Sequence, residues 1–489
     1  MSTSPSSQSE LDFSSRPASV QEIDASLRWP VLYLFLAGAF WLVVGTALAL
    51  IASWQLHSPD LFAGCSWLTH GKAKPAAWNA LLYGFALQTA MGVVLYLICR
   101  LSRRSMRHSF TLYVAGKFWN LGVILGVLGI FIGDSTGHRF LEFPVYSTGV
   151  LLAALVFVAL KGLMALHGRA DREMYVSQWY AGAAILWLVW VLSTGIVLLQ
   201  MRPVPGVIQL VVSGWYVNGL FQIVLGSVGL AALFYFLPQL VERPLYSREL
   251  AAIAFWLLML VGGWTGLAGK WPLPAWIPSL SSAAGYLLLA PLLLVAVNLF
   301  MTVQLDFSRM WKNNSFRFLI VGGVFYILWS LRGVVYGLPI AHERLQFTHF
   351  ETGQNYLFVF GFFAMVFAGV MASIGPRLAG IDCDCKAIGM VFLGLAGGVI
   401  LTAVPLSIAG FLQGGVLNNG SLPFMDSVTW SLFMLKLATF GNLVLLVSTV
   451  MMLVGAGKLF LRAVSAKFPV QEWCVEVEPE GVNVEGGAK

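Results

Sequence analysis

Twelve long apolar stretches run through this chain, at 30–54, 76–99, 118–133, 145–166, 179–200, 207–238, 249–269, 283–303, 316–339, 354–376, 387–412 and 429–457. An apolar run of about 18 residues crosses the hydrocarbon core of a bilayer as a helix. Backbone N–H and C=O groups find no water there and must pair within the segment, which excludes open strands. A chain of 489 residues with 58% hydrophobic and 10% charged side chains and a mean hydropathy of +0.80 is also excluded from the water-soluble globular class. The expected fold class is an all-α polytopic membrane protein of about twelve transmembrane helices.

The segments outside these stretches set the expected topology. Residues 1–29 are Ser-rich and polar and lack the basic start and apolar run of a signal peptide, so they are expected to form a disordered cytoplasmic tail. The membrane domain is expected over 30–462, and 463–489 form a second polar, acidic tail. Loops after even-numbered spans carry fifteen Lys and Arg, among them Arg100, Arg103, Arg104 and Arg107, against six after odd-numbered spans. That excess places the even loops and both termini in the cytoplasm. The net charge of +7 then reflects topology and contact with anionic lipid headgroups, and no nucleic-acid partner is expected.

Cysteine and histidine limit the redox chemistry available. Five cysteines give no disulfide framework. Cys383 and Cys385 form a C-x-C pair with no second pair or histidine beside it, so an inert reduced pair is the plainer reading. No C-x-x-C-H occurs, so no covalent c-type haem is held. Haem iron and copper inside a membrane take neutral imidazole from several facing helices. The seven histidines here are His57, His70, His108, His138, His167, His342 and His349; all fall in loops or near predicted helix ends, and none lies between 167 and 342.

Four segments carry a family resemblance: Leu68–Phe85 (LTHGKAKPAAWNALLYGF), Trp215–Ser247 (WYVNGLFQ…FYFLPQLVERPLYS), Phe347–Phe362 (FTHFETGQNYLFVFGF) and Ile408–Gln413 (IAGFLQ). Together they resemble subunit I of the haem–copper oxidases, in particular the cbb3 type, over roughly residues 65–415. The resemblance implies twelve helices in three pseudo-symmetric arcs. It also implies ligand positions that this chain fills differently. In the family a Pro-x-His-x-Asn-Ala motif opens helix two, and its histidine binds the low-spin haem; here Pro75–Ala80 reads PAAWNA, with Ala77 at the ligand position. The copper-binding Trp-Tyr-x-His of helix six becomes Trp215-Tyr216-Val217-Asn218, and the His-His pair of helix seven falls in Gly262–Lys270, which has no histidine. On helix ten, Thr348-His349-Phe350 is kept while the two haem-binding histidines that follow become Gln354 and Tyr356.

The expectation is therefore a haem-free, non-catalytic homologue that serves as a scaffold subunit of a respiratory electron-transfer complex. By resemblance its partners are membrane-anchored c-type cytochromes and a catalytic oxidase paralogue. Ala77, Asn218, Gln354 and Tyr356 are expected to fill space and hydrogen-bond, with Trp264, Phe358 and Phe360 as large residues refilling the haem space. Two alternatives stay open. One is a divergent oxidase or nitric oxide reductase that binds haem b through unusual ligands such as Tyr356 or a methionine. The other is a quinol-binding or proton-conducting subunit that reuses the haem cavity. Charges inside a membrane mark functional candidates: Arg332, expected to sit in an ion pair, and Glu351 at the start of helix ten, together with His349, expected to make a structural hydrogen bond.

Overall fold

A computed structural model describes residues 17–267, 273–304, 312–380 and 385–465. The long helices are α1 Val20–Gln55, α2 His70–Leu101, α3 Ser109–Ile132, α4 Val145–His167, α5 Val176–Met201, α6 Ile208–Val241, α7 Arg248–Val261, α8 Trp276–Val303, α9 Asn314–Tyr336, α10 His349–Ala379, α11 Cys385–Leu417 and α12 Phe424–Ser465. A short helix, Pro339–Leu345, joins α9 to α10. Among the described residues eleven helices are long and apolar enough to cross a membrane. Cys383, the side chain of Cys385 and the tail beyond Ser465 lie outside the described residues.

Two expectations are corrected. The stretch 249–269 is not one spanning helix. α7 has 14 residues, about 21 Å at 1.5 Å per residue, and ends in a 3₁₀ turn at Gly262–Trp264. Two adjacent glycines there weaken the α-helical preference. At the other end, the segment expected as a tail up to residue 29 is helical from Val20. The reason is a capping box: Ser19 Oγ accepts from Glu22 N at 3.2 Å, and Ser19 N donates to Glu22 Oε2 at 2.9 Å. Reciprocal caps of this kind satisfy two otherwise orphaned N–H groups.

Three helices form the interior. Every residue of the apolar window is buried in α2 and α6, and 83% in α10. The remaining helices surround them, with α11 along α12, α12 along α1, and α1 along α2. Each inner helix also changes its winding at a matching place, passing into π-helix at Ala80–Leu87, Gly219–Leu225 and Leu357–Ala364. Such i→i+5 turns are rare and concentrate at functional sites. They begin directly after Asn79, Asn218 and Tyr356. Close approach of the inner helices depends on Gly229 of α6, where a Cβ would overlap the Phe362 ring of α10.

An ion pair ties three helices at the end of the bundle where α1 starts. Asp24 of α1 is 3% exposed, and its Oδ2 lies 3.0 Å from Arg377 Nε of α10. Arg377 also donates to the Tyr96 hydroxyl of α2. Beside it, Arg28 Nη2 donates to Ala463 O of α12 at 2.9 Å. Removing one partner of a buried ion pair strands the other charge, at a cost of about 3–5 kcal/mol, whereas replacing both with apolar groups is near neutral. Asp24→Ala is thus expected to lower the unfolding temperature in detergent well below that of the Asp24→Leu/Arg377→Met double variant, a comparison that tryptophan fluorescence on heating would check.

Candidate functional site

Asn218 ends the α-helical part of α6 and faces the break after α7. Its Nδ2 donates to Gly262 O, and its Oδ1 accepts from Thr265 Oγ1 at 2.9 Å. Thr265 Oγ1 also lies 3.1 Å from Gly262 O. Gly266, at φ +86°, then turns the chain back across Asn218, a conformation that glycine adopts without strain. The amide therefore holds the end of α7 through a hydrogen-bond network. Gln354 does similar work between α10 and α9, its Nε2 donating to Trp329 O at 2.7 Å, while its Oε1 has no partner.

Ala77 and Tyr356 do face each other, across a small cavity of about 40 Å³ that His70, Lys74, His349 and Asn442 also border. The Trp78 ring packs edge-on against Tyr356 at 5.2 Å between centroids. His349 makes no side-chain hydrogen bond there; its backbone N–H donates to Gln413 Oε1 at 3.1 Å. The structural hydrogen bond expected of the His349 side chain is not found among the described residues; the main-chain one forms because the first N–H of α10 needs a partner that the helix itself does not supply.

Among the described residues Arg332 makes no ion pair. Its guanidinium carbon sits 4.5 Å from the centre of the Phe350 ring, and Nη2 is buried without a hydrogen-bond partner. The nearby carboxylate, Glu351, is engaged by Arg139 from the α3–α4 connection, which explains the difference. Trp264 is 54% exposed and does not refill the interior. The chain leaves α7 in a 3₁₀ turn there and carries that side chain outward. Phe358 and Phe360 do face inward, both fully buried.

Phe358 belongs to a continuous aromatic column. Phe140 packs on Phe221 at 5.0 Å, Phe221 on Phe358 at 5.2 Å, Phe358 on Trp329 at 4.5 Å and on Phe362 at 5.4 Å, and Phe362 on Tyr326 at 4.8 Å. Beside this column lies a larger cavity of about 150 Å³, bordered by Asn218, Gln222, Tyr326, Trp329, Tyr336 and His342 among others. Pockets for drug-sized ligands run to about 300–1,000 Å³, and a porphyrin is at least that large. Neither cavity accommodates one with these side chains in place, so the residues present do not fit a haem. Among the described residues no group of three or more His, Cys, Asp or Glu is placed to hold a metal ion.

A buried polar cluster beside the column went unread in the sequence. Tyr83 donates to Phe140 O at 2.8 Å, so the Tyr216 hydroxyl donates to Tyr83 in their mutual hydrogen bond. Asn79 Nδ2 donates to Glu142 Oε2 at 2.6 Å. Glu142 lies in the α3–α4 connection, and burial pushes its carboxyl up to about 7 despite the Asn79 hydrogen bond. An acid set among aromatics and a proline, as in FLEFP at 140–144, was the available signal.

A bundle of spanning helices around three inner ones, each passing into π-helix at a matching place, defines a protein of the haem–copper oxidase subunit I class. The family described as cytochrome c and quinol oxidase polypeptide I matches residues 30–444, and the chain belongs to it. Among its relatives, the cbb3-type cytochrome c oxidase subunit CcoN1 of Stutzerimonas stutzeri is 24% identical over 78% of this chain and 84% of the relative. Cytochrome c oxidase subunit 1 of Rhodobacter capsulatus is 23% identical over 82% of this chain and 77% of its own. In fold, the chain matches a solved haem–copper terminal oxidase dimer with a TM-score of 0.72 at 13% identity, covering 91% of this chain and 85% of that one.

The polar groups of the site lend themselves to two tests. Removing the amide in Asn218→Ala takes away two hydrogen bonds but leaves Thr265 Oγ1 donating to Gly262 O, so a loss of about 0.5–1.5 kcal/mol is expected. A cycle with Thr265→Val would show a coupling of about 0.5–3 kcal/mol in thermal unfolding. Glu142 is protonated more readily in the folded state, near 7 against an ordinary 4.5. Its contribution is therefore complete below about 4.5 and lost as pH rises through about 7. The unfolding temperature should fall between pH 5 and pH 8, and Glu142→Gln should flatten that slope.

Proposed function

We propose that this chain is a haem-free, non-catalytic homologue of cbb3-type oxidase subunit I and acts as a membrane scaffold subunit of a respiratory electron-transfer complex. The observation that supports this reading most strongly is the Asn218–Gly262–Thr265 network. It spends, on holding the end of α7, the side chain that stands at the family's copper position. Gln354 is likewise spent on Trp329, and Tyr356 on packing with Trp78. A fold that closes its ligand positions with hydrogen bonds and aromatic rings keeps its outer, assembly-forming surface while giving up the chemistry. Fold and chemistry are separable in this way because a site is grafted onto a scaffold.

Partners on this reading are membrane-anchored c-type cytochrome subunits and a catalytic oxidase paralogue, in a bacterial inner membrane. The Lys and Arg distribution favours both termini on the cytoplasmic side. Lipid covers the exposed apolar residues of the outer helices, such as Phe110, Leu260 and Phe433. The test is affinity purification of the tagged full chain from its native membranes, followed by separation of the subunits and pyridine haemochrome quantitation of each. The reading expects c-type haem in co-purifying subunits and no haem b in this one. About one haem b per chain would overturn it.

A further inference from the structure

The small cavity between Ala77 and Tyr356 carries a positive charge that the fold does not balance. Lys74, in the first turns of α2, borders it and makes no hydrogen bond or ion pair among the described residues. Its neighbour Lys72, by contrast, donates to Phe131 O at 2.9 Å. Glu351, between His349 and Thr352 in the chain, is engaged by Arg139 and so does not serve Lys74. Among the described residues no Asp or Glu borders the cavity. A lone cation at the edge of a poorly solvating interior asks for a counterion.

The rest of the wall supplies donors. His349 and Thr352 of α10 border the cavity, and neither side chain makes a hydrogen bond among the described residues. A neutral imidazole offers one N–H and a threonine one O–H. His70 Nδ1 lies 3.1 Å from Ala52 O and donates to it, since a carbonyl only accepts, and this holds the ring in the wall. Both α2 and α10 start here, at His70 and His349, and Thr69 gives α2 no side-chain cap. The N-terminal end of a helix carries partial positive charge and favours an anion. Asn442 also lines the cavity, but its unpartnered Oδ1 is enclosed and offers nothing to an occupant.

Size narrows the choice. The space is about 40 Å³, where roughly 10–15 Å³ lodges one water and organic ligands need about 300 Å³ or more. The occupant is therefore a bare ion of one or a few atoms, and the single unbalanced ammonium sets its charge at minus one. We propose that this cavity binds a small monovalent inorganic anion of halide size, held by Lys74 from α2 and by His349 and Thr352 from α10. The anion ties the starts of two inner helices together. The proposal rests on the reading that no haem lies between Ala77 and Tyr356.

The test is the chloride NMR line width of sodium chloride solutions containing the purified full chain in nanodiscs. Empty discs are subtracted, and ionic strength is held constant with sodium gluconate, whose anion is too large to enter. Excess broadening that saturates with chloride and is displaced by bromide is expected. Lys74→Gln should weaken binding by about tenfold or more, the effect of one lost charge-assisted hydrogen bond, while Lys74→Arg stays within about threefold of the parent. Lys72→Gln should bind as the parent does. Broadening that does not saturate, that survives in Lys74→Gln, or that Lys72→Gln and Lys74→Gln reduce equally overturns the proposal and leaves the scaffold reading standing. About one haem b per chain, by pyridine haemochrome on the same sample, overturns both.

Discussion

Three helices with almost no surface of their own, α2, α6 and α10, govern this structure, because whatever lies between them must satisfy every polar group without water. In a hydrocarbon surrounding, an unpaired N–H or C=O is expensive. The π-helical segments of these helices loosen the ordinary ladder just past Asn79, Asn218 and Tyr356. The side chains at those points take up partners near at hand: Asn79 pairs with Glu142, and Asn218 with Gly262 and Thr265. Between them the aromatic column from Phe140 to Tyr326 supplies bulk. Rings at 4.5–5.4 Å, most of them tilted against one another, gain buried area and ring contact, which a void of cofactor size would forfeit.

Charge is kept to the two ends of this interior. Asp24 and Arg377 join α1 to α10 at one end, with Tyr96 of α2 drawn in. Arg139 and Glu351 join the α3–α4 connection to α10 at the other. The arrangement fits the physics of ion pairs in a poorly solvating medium, where a charge needs a partner or an aromatic face. Arg332 shows the second solution, its guanidinium over Phe350.

Much of the fold was legible because length and hydropathy alone decide it: the spans beginning near 76, 145, 316 and 387 all appear as helices. The break at Gly262 was not, since an apolar run conceals where its backbone stops being helical, and only the tertiary partner Asn218 shows what the break is for. The site divided along the same line. Ala77, Asn218, Gln354 and Tyr356 were placed by their motifs, and the structure puts them on the three inner helices. Arg332 was expected to be paired because a sequence shows charges but not the rings that receive them. Glu142 went unnoticed because it lies in a connection, where a polar residue looks ordinary until the chain folds over it.

The central claim is that the family's ligand positions have been turned into packing, and an experimental density map of the purified subunit tests it most directly. The account predicts the Asn218 amide on the Gly262 carbonyl and side-chain density for Phe221, Phe358 and Trp329 in contact along the interior. A flat tetrapyrrole density between α6 and α10, with those rings displaced, would contradict it.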